Sequence, residues 1–170
     1  MTYPFAKRFT YWPQFFLGIS FNWGILLSFA ASSNSLTVHA LALYVSGIFW
    51  TIFYDTIYSL QDIEDDKKVG IKSTAILFGS KTKVILISFL FLITCIISLV
   101  FFSVAGQDTV HLIILQCGAF AFSICLLIQL ISLDENDPES CLRAFKANKL
   151  AGLVLAVFLA LGSGYIKFYV

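Results

Sequence analysis

The chain has 170 residues, of which 59% are hydrophobic and 12% charged, with a formal net charge of +1 and a mean hydropathy of +0.88. Soluble domains average about 45–50% apolar and about 25% charged residues, so this composition excludes a disordered chain, a nucleic-acid binder with a basic face and an ordinary soluble enzyme. No Asp, Glu, Lys or Arg occurs from Phe9 to Tyr54, whereas a helix needs only about 20 apolar residues to cross roughly 30 Å of hydrocarbon. The expected fold class is therefore all-α, a polytopic transmembrane helix bundle seated in a lipid bilayer.

Five apolar stretches read as spans in one membrane domain, at about 13–31, 36–60, 84–105, 110–133 and 150–170. None shows the strict alternation of a membrane β-strand. Residues 1–12 lack an apolar core and a small-residue cleavage site, so no signal peptide is expected there. The connections alternate in character. Ser32–Ser35 and Gly106–Thr109 are short and carry no Lys or Arg, while 61–83 and 134–149 are longer and heavily charged. Lys7, Arg8, Lys67, Lys68, Lys72, Lys81, Lys83, Arg143, Lys146 and Lys149, 10 of the 11 basic residues, fall on one side. The positive-inside rule makes that side cytoplasmic, or matrix-facing in an organelle, with the amino end on it. Cys95, Cys117, Cys125 and Cys141 lack metal-ligand spacing and read as small hydrophobes. His39 and His111, near the opposite ends of their spans, read as interfacial anchors.

The chemistry concentrates at the end of the second span. Five of the 10 acidic residues lie between positions 55 and 66. If the helix continues to Asp66, then Asp55, Tyr58, Asp62 and Asp66 recur every three to four residues along one face, with Asp65 flanking and Glu64 pointing elsewhere. Like charges so spaced repel, and an ionised Asp55 within an apolar span is costly. A hard cation relieves both costs: Mg²⁺ takes one or two carboxylates and completes its shell with water and phosphate oxygens. The plainer reading of 62–68 is a solvated loop, but solubility gives no reason for Asp55. A calcium EF-hand needs Gly at its sixth position and Glu at its twelfth, and counting from Asp62 those positions hold Lys67 and Ser73. Lys72, Lys7 and Arg8 share the same side. Simple positive-inside anchoring accounts for them too, but beside a carboxylate-held metal they suit a diphosphate.

The run Tyr54-Asp55-Thr56-Ile57-Tyr58, then Asp62-Ile63-Glu64-Asp65-Asp66, then Gly70-Ile71-Lys72-Ser73-Thr74-Ala75, resembles the second aspartate-rich motif of UbiA-type intramembrane prenyltransferases. Within that superfamily it is most similar to the 4-hydroxybenzoate polyprenyltransferases of ubiquinone biosynthesis. Tyr3-Pro4-Phe5-Ala6-Lys7 fits the family's YxxxK element. Trp12-Pro13-Gln14, with Gly18 and Phe21-Asn22-Trp23-Gly24, resembles its fifth helix, and Cys141–Asn148 the approach to its last. The resemblance implies a nine-helix bundle around a cavity open to lipid, with Mg²⁺ as cofactor and a polyprenyl diphosphate and an aromatic acceptor as partners. Carried over by position, Asp62 and Asp66 match the metal-binding pair, and Asp55 matches the aspartate that orients or deprotonates the acceptor. Tyr3, Lys7 and Lys72 match groups near the diphosphate, with Tyr58, Asp65 and Arg8 as supporting candidates.

Nothing here matches the family's first aspartate-rich motif, because Asp55 is the first acidic residue of the chain. The five spans correspond to helices five to nine. The expectation is a carboxyl-terminal half that needs a separate amino-terminal half for turnover, in a bacterial inner or mitochondrial inner membrane. The competing expectations are a catalytically silent membrane remnant, prenyl transfer to a different aromatic acceptor, and a small carrier using Asp55 as its intramembrane ion site.

Overall fold

The computed structural model describes residues 3–169, and side chains from residue 5 to residue 167. The described residues form helices joined by short turns. In chain order these are α1 (Tyr3–Phe9), α2 (Pro13–Phe21), α3 (Trp23–Ser33), α4 (Val38–Leu60), α5 (Ile63–Val69), α6 (Thr74–Phe78), a 3-10 turn (Gly79–Lys81), α7 (Thr82–Ala105), α8 (Thr109–Ile131) and α9 (Pro138–Tyr169). Among the described residues, five stretches are long and apolar enough to cross a membrane: Pro13–Ser33, Val38–Leu60, Thr74–Ala105, Thr109–Ile131 and Pro138–Lys167.

Local chemistry sets most of the boundaries. Pro13 opens α2, where its missing N–H costs nothing. The side chains of Thr37, Ser73 and Asp108 accept from the backbone N–H three residues on and cap α4, α6 and α8. Gly70, at φ 76°, takes the left-handed conformation that stops α5.

Three features depart from the sequence expectation. The first span is two helices, broken at Asn22. The amide of Asn22 donates to the Gly18 carbonyl (2.8 Å) and to Thr51 Oγ1 on α4 (3.0 Å), which holds the bend. The segment 61–83 is mostly helical, and α4 stops at Leu60 instead of running on to Asp66. Finally, α9 starts at Pro138, well before the apolar run. Asp137 accepts from the N–H groups of Glu139 and Ser140, and Arg143 pairs with Asp137 (3.3 Å) and Glu139 (3.6 Å), so the charged turns are helical in their own right.

α4 is the central element, in contact with α2, α3, α6, α7 and α9, while α7 packs on α8 and α8 on α9. Its apolar face of Phe53, Ile57 and Leu60 joins Leu86, Leu90 and Ile93 of α7 and Phe122 and Leu126 of α8 in the core. The opposite face is polar and buried, with Thr51, Asp55 and Ser59, and buried Thr56 stands at its border. Such groups inside a bilayer require partners, and α2 and α6 supply several of them. Connectivity brings the end of α4, all of α5, and the starts of α6, α7 and α9 to one end of the bundle. There Lys83 Nζ of α7 donates to the Leu133 carbonyl (2.6 Å).

Candidate functional site

The site builds outward from α4. Asp55 is 7% exposed, one turn before Ser59, whose hydroxyl donates back to the Asp55 carbonyl (2.8 Å). On the adjoining face, Trp50, Tyr54 and Tyr58 rise in successive turns. Trp50 meets Phe122 edge-on at 5.0 Å between ring centroids, and Tyr58 packs on Phe145 of α9 at 4.9 Å. Tyr58 is 37% exposed, so its ring lines the edge of the bundle beside Asp55 and is not core.

Beyond Leu60 the acidic stripe bends. Asp62 is exposed in the turn, and its carbonyl accepts from the N–H of Asp66 (2.8 Å), which starts α5 with the two carboxylates one turn apart. Asp66 is half-buried. Burial pushes its carboxyl above the usual carboxylate range, Lys7 pulls it back, and Asp62 and Asp65 push it further up. Asp62, Asp65 and Lys7 are therefore each within electrostatic reach of Asp66. Asp65 is bonded to Lys68 (3.0 Å), and with Glu64 and Glu135 it lines a separate hollow of about 450 Å³.

The basic groups come from α1 and from the stretch after α5. The Lys72 N–H donates to the Lys7 carbonyl (2.9 Å), a backbone tie between the two segments. The Lys72 ammonium reaches the Phe9 carbonyl at the end of α1 (3.4 Å) and lies 5.3 Å from the centre of the Tyr11 ring. Arg8 is exposed at the same end. The side chain of Tyr3 lies outside the described ones. Among the described residues no group of three or more His, Cys, Asp or Glu side chains encloses a metal position. Asp62 and Asp66 offer two hard oxygen donors, the number that Mg²⁺ takes when phosphate and water fill the rest of its shell. The donor chemistry fits that ion as one side of a shared site.

On the other side of Asp55 along α4 lies an apolar cavity of about 320 Å³. Leu43, Gly47 and Trp50 of α4 form its floor, with Ile25 and Phe29 of α3 and Leu159 of α9 in its walls. Gly47 makes room here for the Asn22 amide, which a Cβ at that position would have to displace.

Several residues that position these groups stand in or beside the motif runs but received no role from them. Gln14, fully buried on α2, donates to Ser59 Oγ (2.9 Å) and accepts from the Thr74 N–H (3.3 Å). Thr56 and Thr74 share a hydroxyl bond of 2.6 Å, and Trp50 Nε1 donates to Asn148 Oδ1 (3.1 Å). The signal available for each was a polar side chain inside an apolar run, which must find a partner there.

The sequence model of the UbiA prenyltransferase family matches residues 1–162. The chain belongs to that family. Among its relatives, the mitochondrial 4-hydroxybenzoate polyprenyltransferase of Drosophila melanogaster is 41% identical over 164 residues, covering 96% of this chain and 41% of the relative. The 4-hydroxybenzoate octaprenyltransferase of Pseudomonas aeruginosa is 39% identical over 163 residues, covering 96% of this chain and 53% of the relative. The mitochondrial 4-hydroxybenzoate polyprenyltransferase of Dictyostelium discoideum is 45% identical over 152 residues, 89% of this chain and 32% of its own length. The chain thus spans about half or less of the relatives it matches. No solved structure matches it significantly. A helical membrane bundle is what membership in this UbiA family leads one to expect, and the described helices have that character.

Proposed function

We propose that this chain forms part of a prenyltransferase that moves a polyprenyl group from its diphosphate to the ring of 4-hydroxybenzoate, a step of ubiquinone synthesis. In this reading the membrane is a bacterial inner or mitochondrial inner membrane, with the amino end of the chain on the cytoplasmic or matrix side. The region that the longer relatives carry before the matched part supplies the rest of the site. One observation supports the reading above others: along α4, the buried carboxylate of Asp55 lies between an apolar cavity and a cluster of acidic and basic groups.

Each part has work suited to its chemistry. The cavity takes the apolar prenyl chain, and its walls keep water from the allylic carbon. Lys7, Lys72 and Arg8, with Tyr3, hold the diphosphate by charge-assisted hydrogen bonds. Asp62 and Asp66 would hold Mg²⁺, with Asp65 in support; when bound, the ion supplies charge neutralisation for the departing diphosphate. The allylic C–O bond breaks with its electron pair leaving on diphosphate, and the ring carbon beside the phenol oxygen forms the new C–C bond. Asp55 accepts or shares the phenolic proton, which makes the ring a better nucleophile; the ring carbon then gives its hydrogen as a proton to the departed diphosphate, and the phenol oxygen recovers its proton from Asp55. Tyr58 borders the acceptor's place.

The test is transfer of a polyprenyl group to labelled 4-hydroxybenzoate by membranes containing this chain, with and without the amino-terminal region of a relative. Asp62→Ala and Asp66→Ala are expected each to abolish product, by at least about a hundredfold, and Glu64→Ala to retain it. Absence of product under both conditions overturns the reading. Equal loss in all three variants overturns the assignment of the metal pair.

A further inference from the structure

We propose that Gln14 is the positioning residue that fixes the basic arm of the site, carrying Lys72, against the carboxylate-bearing end of α4. The inference rests on the prenyl-transfer reading for its consequence and on hydrogen-bond geometry for its substance. Gln14 is 0% exposed, and both ends of its amide are committed, to different elements. The NH₂ donates to Ser59 Oγ on α4 at 2.9 Å, and Ser59 passes the connection to the Asp55 carbonyl at 2.8 Å. The amide oxygen accepts from the N–H of Thr74, the first residue of α6, at 3.3 Å. A first-turn N–H has no partner within its own helix, so this bond ties α6 to α2 and not to itself.

Two neighbouring contacts limit the freedom of the joint. Thr56 Oγ1 of α4 bonds Thr74 Oγ1 at 2.6 Å, and the Lys72 N–H bonds the Lys7 carbonyl at 2.9 Å. One residue, Ser73, therefore separates a backbone tie to α1, at Lys72, from a pair of ties to α2 and α4, at Thr74. Residues 71–73 lie outside the helices on either side, with Ser73 as the cap of α6. With Gln14 in place, Lys72 has one position relative to Asp55 and to α5. Without it, the Thr74 N–H and the Ser59 hydroxyl lose buried partners, and the arm is held by the Thr56 contact alone on that side. A shift of about 1 Å in such a group can reduce turnover about a hundredfold. Gln14 reaches Asp55 only through Ser59 and the backbone carbonyl, whereas it holds the start of α6 directly, so the effect should fall on the diphosphate and leave the aromatic acceptor's binding unchanged.

Gln14→Leu, nearly isosteric and lacking both polar ends, tests this in membranes under the transfer assay. The expected result is a rise of about tenfold or more in KM for the polyprenyl diphosphate, with KM for 4-hydroxybenzoate unchanged. Hydrogen exchange of the same protein in nanodiscs should show faster exchange at residues 71–78, with α7, α8 and α9 as protected as before. A parallel rise in both KM values, or unchanged exchange at 71–78, overturns the assignment. If the unsubstituted protein shows no transfer, the transfer reading is lost and the exchange comparison alone decides the role of Gln14. Should Gln14→Leu fail to insert, Ser59→Ala and Thr56→Val each remove one tie and take the same two measurements.

Discussion

At the scale of single residues, the site combines side chains that the membrane disfavours with partners that make them tolerable. Asp66 shows the balance. Burial raises its carboxyl from the ordinary range, Lys7 opposes the rise, and Asp62 and Asp65 add to it. The folded chain therefore holds this proton more tightly than the unfolded chain does. The sign follows: the stability contribution is fully present below the unfolded-state pKa and is lost as pH rises through the raised folded-state value. In metal-free buffer Asp66→Asn, which removes the charge and keeps the shape, is expected to raise the thermal unfolding midpoint at pH 7. The gain should shrink as pH falls through the acidic range. Added Mg²⁺ should raise the midpoint of the parent protein and leave that of Asp66→Asn nearly where it was. Thermal unfolding in nanodiscs over a pH series, with and without the ion, measures all three. A variant less stable than the parent at pH 7 without metal would contradict the charge-crowding account.

At the scale of elements, the bend at Asn22 and the close approach at Gly47 are a single feature. The Asn22 amide bonds Gly18 and Thr51, and its oxygen occupies the space where a Gly47 side chain would stand. Gly47→Ala is expected to cost about 1–3 kcal/mol, because α3 and α4 must separate or Asn22 must leave Thr51. Asn22→Ala removes the obstruction along with the bond. The double variant should therefore be less destabilised than the sum of the two single variants, by about 0.5 kcal/mol or more in a thermal or denaturant cycle. The bend also marks where sequence reading stops. The run from Pro13 to Ala31, free of charged residues, carries the signal of a span, whereas the bond from Asn22 to Thr51, a partner 29 residues away that helps hold the bend, leaves no local trace. The end of α4 has a similar history: a spacing of three to four residues joins Asp55 to Asp66, but the turn at Gln61 and Asp62 separates them onto two helices. The acidic cluster was legible because charge is conspicuous in an apolar chain. Gln14, Ser59 and Thr74 were not, because pairing across elements leaves no periodicity.

At the scale of the whole molecule, the arrangement runs along α4. Charged groups gather at one end of the bundle, Asp55 stands next, and the apolar cavity of about 320 Å³ extends from Trp50 between α3, α4, α7, α8 and α9. The alternation of charged and uncharged connections foretold that all these groups would share an end. The cavity could not be read that way, since it depends on how α3 and α9 diverge across α4. If it receives the prenyl chain, its filling should discriminate donors by length. Leu159 lines it from α9 and is 40% exposed, so a larger ring can be accommodated there without displacing the core. Leu159→Trp is expected to lower kcat/KM for a long polyprenyl diphosphate by about tenfold, consistent with the 1–3 kcal/mol cost of overfilling a packed space. Geranyl diphosphate, too short to reach that wall, should be used nearly as well as by the parent protein. Equal losses for both donors would mean that the substitution acts on the bundle as a whole. Equal retention would place the prenyl chain elsewhere than in this cavity.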